Sequence, residues 1–131
     1  MIEISYVNII SSDIDRLGKF YSTLLELEEI VESRTDLFRG YKAGTASLGI
    51  SAEGAYDLLN LTKQQGSGER NLLTFNVPSP KELRALTEKA QKLGGSLVKA
   101  PFETYYGWFQ SVLRDPDGNA FRLSFSGREQ G

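Results

Sequence analysis

The sequence predicts an α+β protein built from two similar halves, each containing one strand, one helix and further strands. Three observations support this fold class. Strand-like and helix-like segments recur at an offset of 66 residues, so that Leu17 corresponds to Leu83. Apolar residues change between a spacing of two and a helical spacing along each half. Turn-forming residues separate these segments. The expected order is therefore βαβββ, repeated once.

The first half begins with a β-rich segment over residues 4–10. Ser12-Asp13 then provides the side chains that cap a helix N-terminus. Helical spacing follows in the apolar residues Ile14, Leu17, Phe20, Tyr21, Leu24 and Leu25. Three strands are predicted over residues 28–35, 36–43 and 45–51, with a hairpin turn at Ala43-Gly44-Thr45. Residues 54–61 are predicted to form a short helix.

The second half follows a predicted flexible linker over residues 62–70, which is rich in Gly, Gln and charged residues. Residues 71–77 predict a strand, and Ser79-Pro80 predicts the cap and first position of a helix. Gly94-Gly95 predicts its end. Three strands are then predicted over residues 96–101, 107–114 and 119–125. The predicted boundaries are residues 1–131 for a single domain, 2–61 for the first module and 71–125 for the second.

Composition excludes several classes of function. The net charge of −2 provides no basic surface for nucleic acid. No apolar segment is long enough to span a membrane, and the N-terminus lacks the pattern of a signal peptide. The absence of Cys and His removes disulfides, thiolate chemistry and the commonest metal ligand. We therefore expect a cytoplasmic protein with no nucleic-acid or membrane partner.

The most specific motif lies in residues 114–123, Arg-Asp-Pro-Asp-Gly-Asn-Ala-Phe-Arg-Leu. Asp-Pro-Asp-Gly is typical of a tight turn between two strands. The segment resembles the Asp-Pro-Asp-Gly-Asn-x-x-Glu-Leu signature of the vicinal-oxygen-chelate superfamily, which includes glyoxalase I, ring-cleaving dioxygenases and bleomycin-resistance proteins. The resemblance covers residues 2 to about 125. It implies two βαβββ modules that form a curved mixed sheet around a cleft.

The same resemblance indicates that a metal site has been lost. It places the family's metal-ligand positions on Tyr6, Leu72 and Arg122, where the metalloenzymes have His or Gln, His, and Glu. A phenol, an alkyl group and a permanent cation do not form a divalent metal site. We therefore expect no metal and no other cofactor.

Side-chain alternation along the strands predicts which residues line the cleft. Val7, Phe75 and Phe121 belong to the apolar sets that are expected to pack against helices. Residues of opposite parity face the cleft, and for residues 107–114 the parity is counted from the turn by analogy with the family. The predicted ligand-binding residues are Tyr6, Asn8, Leu72, Thr74, Trp108, Gln110 and Arg122. No residue is marked as catalytic.

Structural alternatives exist for the main candidates. Arg122 either contacts a ligand anion or pairs with a neighbouring carboxylate. Tyr6 either lines the cleft or is a buried ring with a bonded hydroxyl. Trp108 either forms a cavity wall or packs in the core or hairpin. The acidic residues Glu26, Glu28, Glu29 and Glu32 are interpreted as a solvated face.

The favoured function is metal-independent binding of a small molecule, as in the bleomycin-resistance-like branch that the sequence resembles. Bleomycin-type ligands are cationic, so Arg122 favours an anionic or neutral aromatic ligand instead. The alternative is a divergent glyoxalase-like lyase or dioxygenase-type enzyme with a non-standard metal site. A third class is a structural or regulatory interaction domain. A homodimer is expected because exposed sheet edges otherwise promote aggregation.

Overall fold

The computed structural model describes residues 1–63 and 68–127, so residues 64–67 of the predicted linker lie outside the described residues. The chain divides into two compact units, Met1–Gly66 (unit 1) and Ser67–Gly131 (unit 2). Each unit contains one sheet, of three strands in unit 1 and four in unit 2. The α+β class is confirmed.

Unit 1 has strands β1 (Tyr6–Ser11), β2 (Phe38–Ala43) and β3 (Ala46–Ala52), and helices α1 (Ile14–Leu25) and α2 (Gly54–Leu58). The strand order is β1-β3-β2. β3 lies parallel to β1 and antiparallel to β2. The predicted hairpin turn is confirmed between β2 and β3, where Gly44 has a φ of +73°. The short helix predicted over residues 54–61 is confirmed as α2.

Helix α1 begins at the cap that its sequence predicts. The Asp13 carboxylate accepts a hydrogen bond from the Arg16 backbone N–H at 3.0 Å, which caps the first turn. The helix ends at Glu26, which adopts a left-handed conformation. The helix residues Leu17, Gly18, Phe20, Tyr21 and Leu24 are buried. This amphipathic pattern fixes the face that packs on the sheet.

The strand predicted over residues 28–35 is wrong. Val31–Ser33 forms a 3₁₀ helix, and the pairing of this segment is limited to two isolated bridges, Glu29 with Tyr41 and Thr35 with Phe38. The Ser33 hydroxyl donates to the Ile30 carbonyl at 2.6 Å, a local bond that competes with extended structure. The first module therefore has two strands after its helix instead of three.

Unit 2 has strands β4 (Leu73–Asn76), β5 (Ser96–Glu103), β6 (Phe109–Arg114) and β7 (Ala120–Phe125), and helix α3 (Pro80–Lys92). The order is β4-β7-β6-β5, with β4 parallel to β7 and the other pairs antiparallel. The four strands and the helix predicted for this half are confirmed. Ser79 caps α3 by accepting from the Glu82 N–H at 3.1 Å, and Pro80 occupies the first helical position.

Each sheet has one face covered by a helix and one face without a helix. In unit 1 the Tyr41 hydroxyl lies against Gly18 of α1, and Tyr41 is in register with Leu48 of β3. In unit 2 Thr87 of α3 and Ser111 of β6 share a hydrogen bond of 2.8 Å. These contacts confirm the predicted alternation of faces. Within the described ranges, none of the helices is sufficiently long and apolar to cross a bilayer.

Candidate functional site

Arg122 lies on the helix-free face of the sheet in unit 2. Its β7 position is in register with Thr74 of β4 on one side and with Val112 of β6 on the other. The Arg122 Nε donates to the Thr74 hydroxyl at 2.6 Å. Neither terminal nitrogen bonds to another described residue of unit 2, and no described carboxylate of that unit forms an ion pair with Arg122. The guanidinium is thus held at one nitrogen and open at its other edge.

An aromatic group on the same face is fixed by a chain of hydrogen bonds. Gln110 is buried, and its amide nitrogen donates to the Ser124 hydroxyl at 3.1 Å and to the Tyr106 hydroxyl at 3.0 Å. The Tyr106 ring packs edge-on against Trp108, with ring centroids 5.6 Å apart. Trp108 remains 38% exposed. Gln110 therefore links the sheet to a partly exposed aromatic surface.

The hairpin between β6 and β7 sets the register of these residues. Asp115 is 3% exposed, and one carboxylate oxygen accepts from the backbone N–H groups of Asp117 and Asn119 at 2.9 and 3.0 Å. Its other oxygen accepts from the Asn119 side chain at 3.0 Å. Gly118 takes a φ of +90°, which suits glycine. The Asp-Pro-Asp-Gly turn thereby pairs Val112 with Arg122 and Gln110 with Ser124.

The predicted site residues fall in both units. In unit 2, Thr74, Gln110 and Arg122 share the helix-free face with the Trp108 group, and Leu72 is exposed just before β4. In unit 1, Tyr6 and Asn8 lie on the helix-free face of β1. There the Tyr6 ring packs edge-on against the Phe38 ring, with ring centroids 6.0 Å apart. The Asn8 amide lies over Gly49, where a Cβ would collide with it. Each set is thus placed on one face of its own sheet.

The residues that the sequence resemblance assigns to metal-ligand positions do not fit a metal. Leu72 has no donor atom, and the Arg122 guanidinium is a permanent cation already donating to Thr74. Tyr6 provides only a phenol. Over residues 1–63 and 68–127, no three Asp or Glu side chains converge to form an alternative site. No chemical step is assigned to a metal here.

Two further residues on this face were missed by sequence analysis. Lys99 of β5 is in register with Val112, and Phe102 is in register with Gln110. The Lys99 ammonium lies 3.9 Å from the centre of the Phe102 ring. Strands lie about 4.8 Å apart, so the backbones of Lys99 and Arg122, two strands apart, are separated by about 10 Å. The register shifts twice along β5, and simple alternation could not identify the face.

Comparison with known proteins identifies the family. Residues 3–123 match the family model of the Glyoxalase/Bleomycin resistance protein/Dioxygenase superfamily. No curated protein matches the chain. The chain is 38% identical to a glyoxalase/bleomycin resistance protein/dioxygenase family enzyme from Burkholderia phytofirmans PsJN. That match covers 95% of this chain and 98% of the other, with a TM-score of 0.91.

More distant structures share the fold. A glyoxalase-related enzyme from Fulvimarina pelagi is 17% identical, with a TM-score of 0.85 over 96% of this chain and 89% of that one. Lactoylglutathione lyase from Agrobacterium tumefaciens is also 17% identical, with a TM-score of 0.71 over 95% and 93% of the two chains. At these identities the likeness concerns the fold alone. The family match over nearly the whole sequence shows that this chain belongs to the Glyoxalase/Bleomycin resistance protein/Dioxygenase superfamily.

Proposed function

We propose that the protein binds an anionic or neutral aromatic small molecule on the helix-free face of unit 2, without a metal. The observation that carries this proposal is the open edge of Arg122. A guanidinium presents parallel N–H groups that match a carboxylate in a bidentate arrangement. In Arg122 the Nε is occupied by Thr74, and the terminal nitrogens have no partner among the described residues of the unit.

The surroundings of Arg122 support an aromatic ligand. Trp108 and Tyr106 provide ring surfaces, and the Gln110 amide holds the Tyr106 hydroxyl in place. Lys99 adds a second cation on the same face. Thr74 and Gln110 are neutral, and they position Arg122 and Tyr106 instead of transferring protons. This combination favours binding over catalysis.

A fluorescence titration tests this function. Trp108 is the only tryptophan, so its emission reports on the proposed surface. Benzoate serves as the anionic aromatic probe and benzamide as its neutral counterpart. Arg122→Ala is expected to lower the affinity for benzoate by about tenfold or more, because it removes a pair of charge-assisted hydrogen bonds. Benzamide affinity should change little.

Arg84→Ala is the matched control. Arg84 belongs to the same unit, but its guanidinium lies 4.9 Å from the centre of the Phe109 ring, on the helix-covered side of the sheet. This variant should bind benzoate as the wild type does. Equal benzoate affinity in the wild type and Arg122→Ala would instead make Arg122 a structural cation that holds Thr74.

The second candidate function is a divergent glyoxalase-like lyase or dioxygenase-type enzyme. It is favoured by one observation, since the Burkholderia relative, at 38% identity, is described as a family enzyme. Elemental analysis of purified protein separates the candidates. The binding function predicts no stoichiometric Zn, Mn, Fe, Ni or Mg, whereas one tightly held metal in each chain would favour the enzyme.

We further propose that the protein forms a homodimer. Strand β5 lies at the edge of its own sheet, and its residues Leu97 and Val98 are exposed. Exposed apolar edge strands favour association with another chain. Light scattering should give twice the chain mass of 14.6 kDa, and the single-chain mass at every working concentration would refute the dimer.

A further inference from the structure

Unit 1 contains a cavity beside α1, on the helix-covered side of its sheet and away from the face that carries Tyr6 and Asn8. Its volume is about 350 Å³. Asp15, Lys19 and Ser22 line it from one side of α1, and Tyr41 of β2 lies at its base. Glu29 and Arg34 close it from the segment after the helix. This volume is at the lower end of those of small-molecule sites.

Tyr41 provides a polar group to the lining of this cavity. The residue is only 5% exposed, and its hydroxyl forms no hydrogen bond with a described residue of unit 1. None of the fully buried side-chain oxygen or nitrogen atoms of the described residues lacks a partner, so the Tyr41 hydroxyl is accessible from the cavity. Glycine at position 18 leaves the space that the hydroxyl occupies, because a Cβ there would collide with it. Burial raises the pKa of Tyr41, with a smaller contribution from the Glu29 carboxylate, so the hydroxyl stays protonated at neutral pH and can donate.

The charges around the cavity leave one cation without a partner. Arg34 binds both oxygens of Glu29 at 2.7 Å, which neutralises that pair. Asp15 accepts from Arg39 at 2.9 and 3.1 Å, and so its charge is also matched. Lys19 forms no ion pair with any described residue of unit 1. The lining therefore offers one ammonium group and one free hydroxyl donor.

We propose that this cavity is a second binding site, which takes a small molecule through a single carboxylate or phosphate group held by Lys19 and Tyr41. Lys19 provides the charge, and the Tyr41 hydroxyl provides a directed hydrogen bond. Because the other charges of the lining are matched in ion pairs, Lys19 alone can balance the ligand, and one anionic group is therefore expected. The site is independent of Arg122 and of the function proposed for unit 2.

NMR titration at constant ionic strength tests the site with three probes. Acetate carries the carboxylate, inorganic phosphate carries the phosphate, and glycerol is the neutral control. We expect saturable shifts of the Lys19, Ser22 and Tyr41 amides with acetate, phosphate or both, and none with glycerol. The anion that binds more tightly identifies the head group. Shifts that stay linear, or that spread over both units, would overturn the proposal.

Two substitutions test the assigned donors. Tyr41→Phe removes only the hydroxyl, and Lys19→Gln removes only the charge. Each should lower the affinity for the anion that binds by about fivefold or more, as expected for a lost charged hydrogen bond. Lys81→Gln, at an exposed helical lysine of unit 2, should leave the affinity unchanged. Unchanged affinity in both Tyr41→Phe and Lys19→Gln, or an equal loss in Lys81→Gln, would contradict the site.

Discussion

In both units a helix packs on one face of a sheet, but the polar groups beneath the helix differ. Unit 1 places Arg39 there, 9% exposed, and its guanidinium bonds to Asp15 of α1 and to the backbone carbonyls of Thr35 and Phe38. Unit 2 places a neutral pair there, the hydroxyls of Thr87 and Ser111, 2.8 Å apart.

The difference shows how charge affects the number of acceptors that a buried polar group needs. A buried guanidinium needs several acceptors, and unit 1 supplies them from an exposed carboxylate and an irregular loop. That loop leaves the cavity beside Tyr41 open. In unit 2 the Thr87 hydroxyl donates to the Leu83 carbonyl of its own helix at 2.7 Å and shares its second hydrogen bond with Ser111 of β6, so α3 packs on β6 without help from a loop.

The largest expected effect concerns the contact between Gly18 and Tyr41 in unit 1. Gly18→Ala should lower the free energy of unfolding by about 2 kcal/mol, because overpacking outweighs the helical preference for alanine. The new Cβ would collide with the Tyr41 hydroxyl and lie 3.1 Å from its ring. Urea unfolding measures the change, and adding Tyr41→Phe should recover part of the loss.

Gly54→Ala is the control for that substitution. Gly54 is also helical, at the first position of α2, but no heavy atom lies within 4 Å of its added Cβ. Its free energy of unfolding should change by less than about 0.5 kcal/mol. Equal effects at both glycines would mean that the Tyr41 contact does not determine the packing of α1.

The hydroxyl pair of unit 2 should show a smaller effect. Thr87→Val keeps the side-chain shape but removes the hydroxyl that bonds to the fully buried Ser111 hydroxyl. The free energy of unfolding should fall by about 1.5 kcal/mol. In the double variant Thr87→Val with Ser111→Ala, the free energy of unfolding should fall by less than the sum of the decreases in the two single variants. Thr62→Val, at an exposed position, is the control. Additive losses would show that the hydroxyls act independently.

The smallest effect is a pH dependence confined to unit 1. The two hydrogen bonds from Arg34 hold the pKa of Glu29 below its ordinary value of 4.5, although partial burial opposes this. Because the folded pKa is lowered, the pair stabilises the fold above the unfolded pKa and loses that effect as pH falls through the folded value. Arg34 is half-exposed, so salt should weaken the effect further.

Carboxyl NMR measures this directly. Glu29 should titrate below 4.5 in the wild type and move upwards in Arg34→Gln. Arg114→Gln, which removes an arginine that pairs with Glu69 in unit 2, should leave Glu29 unchanged. An ordinary titration of Glu29 in the wild type would contradict the ion pair.

Local signals were sufficient to predict most of the fold. The caps at Asp13 and Ser79 and the turn at Asp115 are formed by neighbouring residues, so the helices and the β6–β7 hairpin could be identified from sequence. The strand over residues 28–35 could not be rejected in this way. There the Ser33 hydroxyl closes a 3₁₀ turn within an otherwise strand-like pattern.

The candidate site was predictable only in part. Alternation placed Arg122 and Gln110 on the helix-free face, and the structure agrees. The bond from Arg122 to Thr74 depends on pairing between strands that are distant in sequence. Lys99 could not be assigned to this face because the register of β5 shifts. The cavity beside Tyr41 is lined in part by the segment that was wrongly predicted as a strand, so it could not be predicted either.

The sheet orders have a consequence for the synthesis of the chain. In each unit the last strand to be made, β3 or β7, lies inside the sheet and pairs in parallel with the first. Unit 1 can complete its sheet once Ala52 has left the ribosome. In unit 2, α3 can already pack on β6, but β4 must wait until Ala120–Phe125 emerges. Until then a nascent chain of this protein exposes an unpaired strand, which is the interval in which chaperones or misassociation act on it.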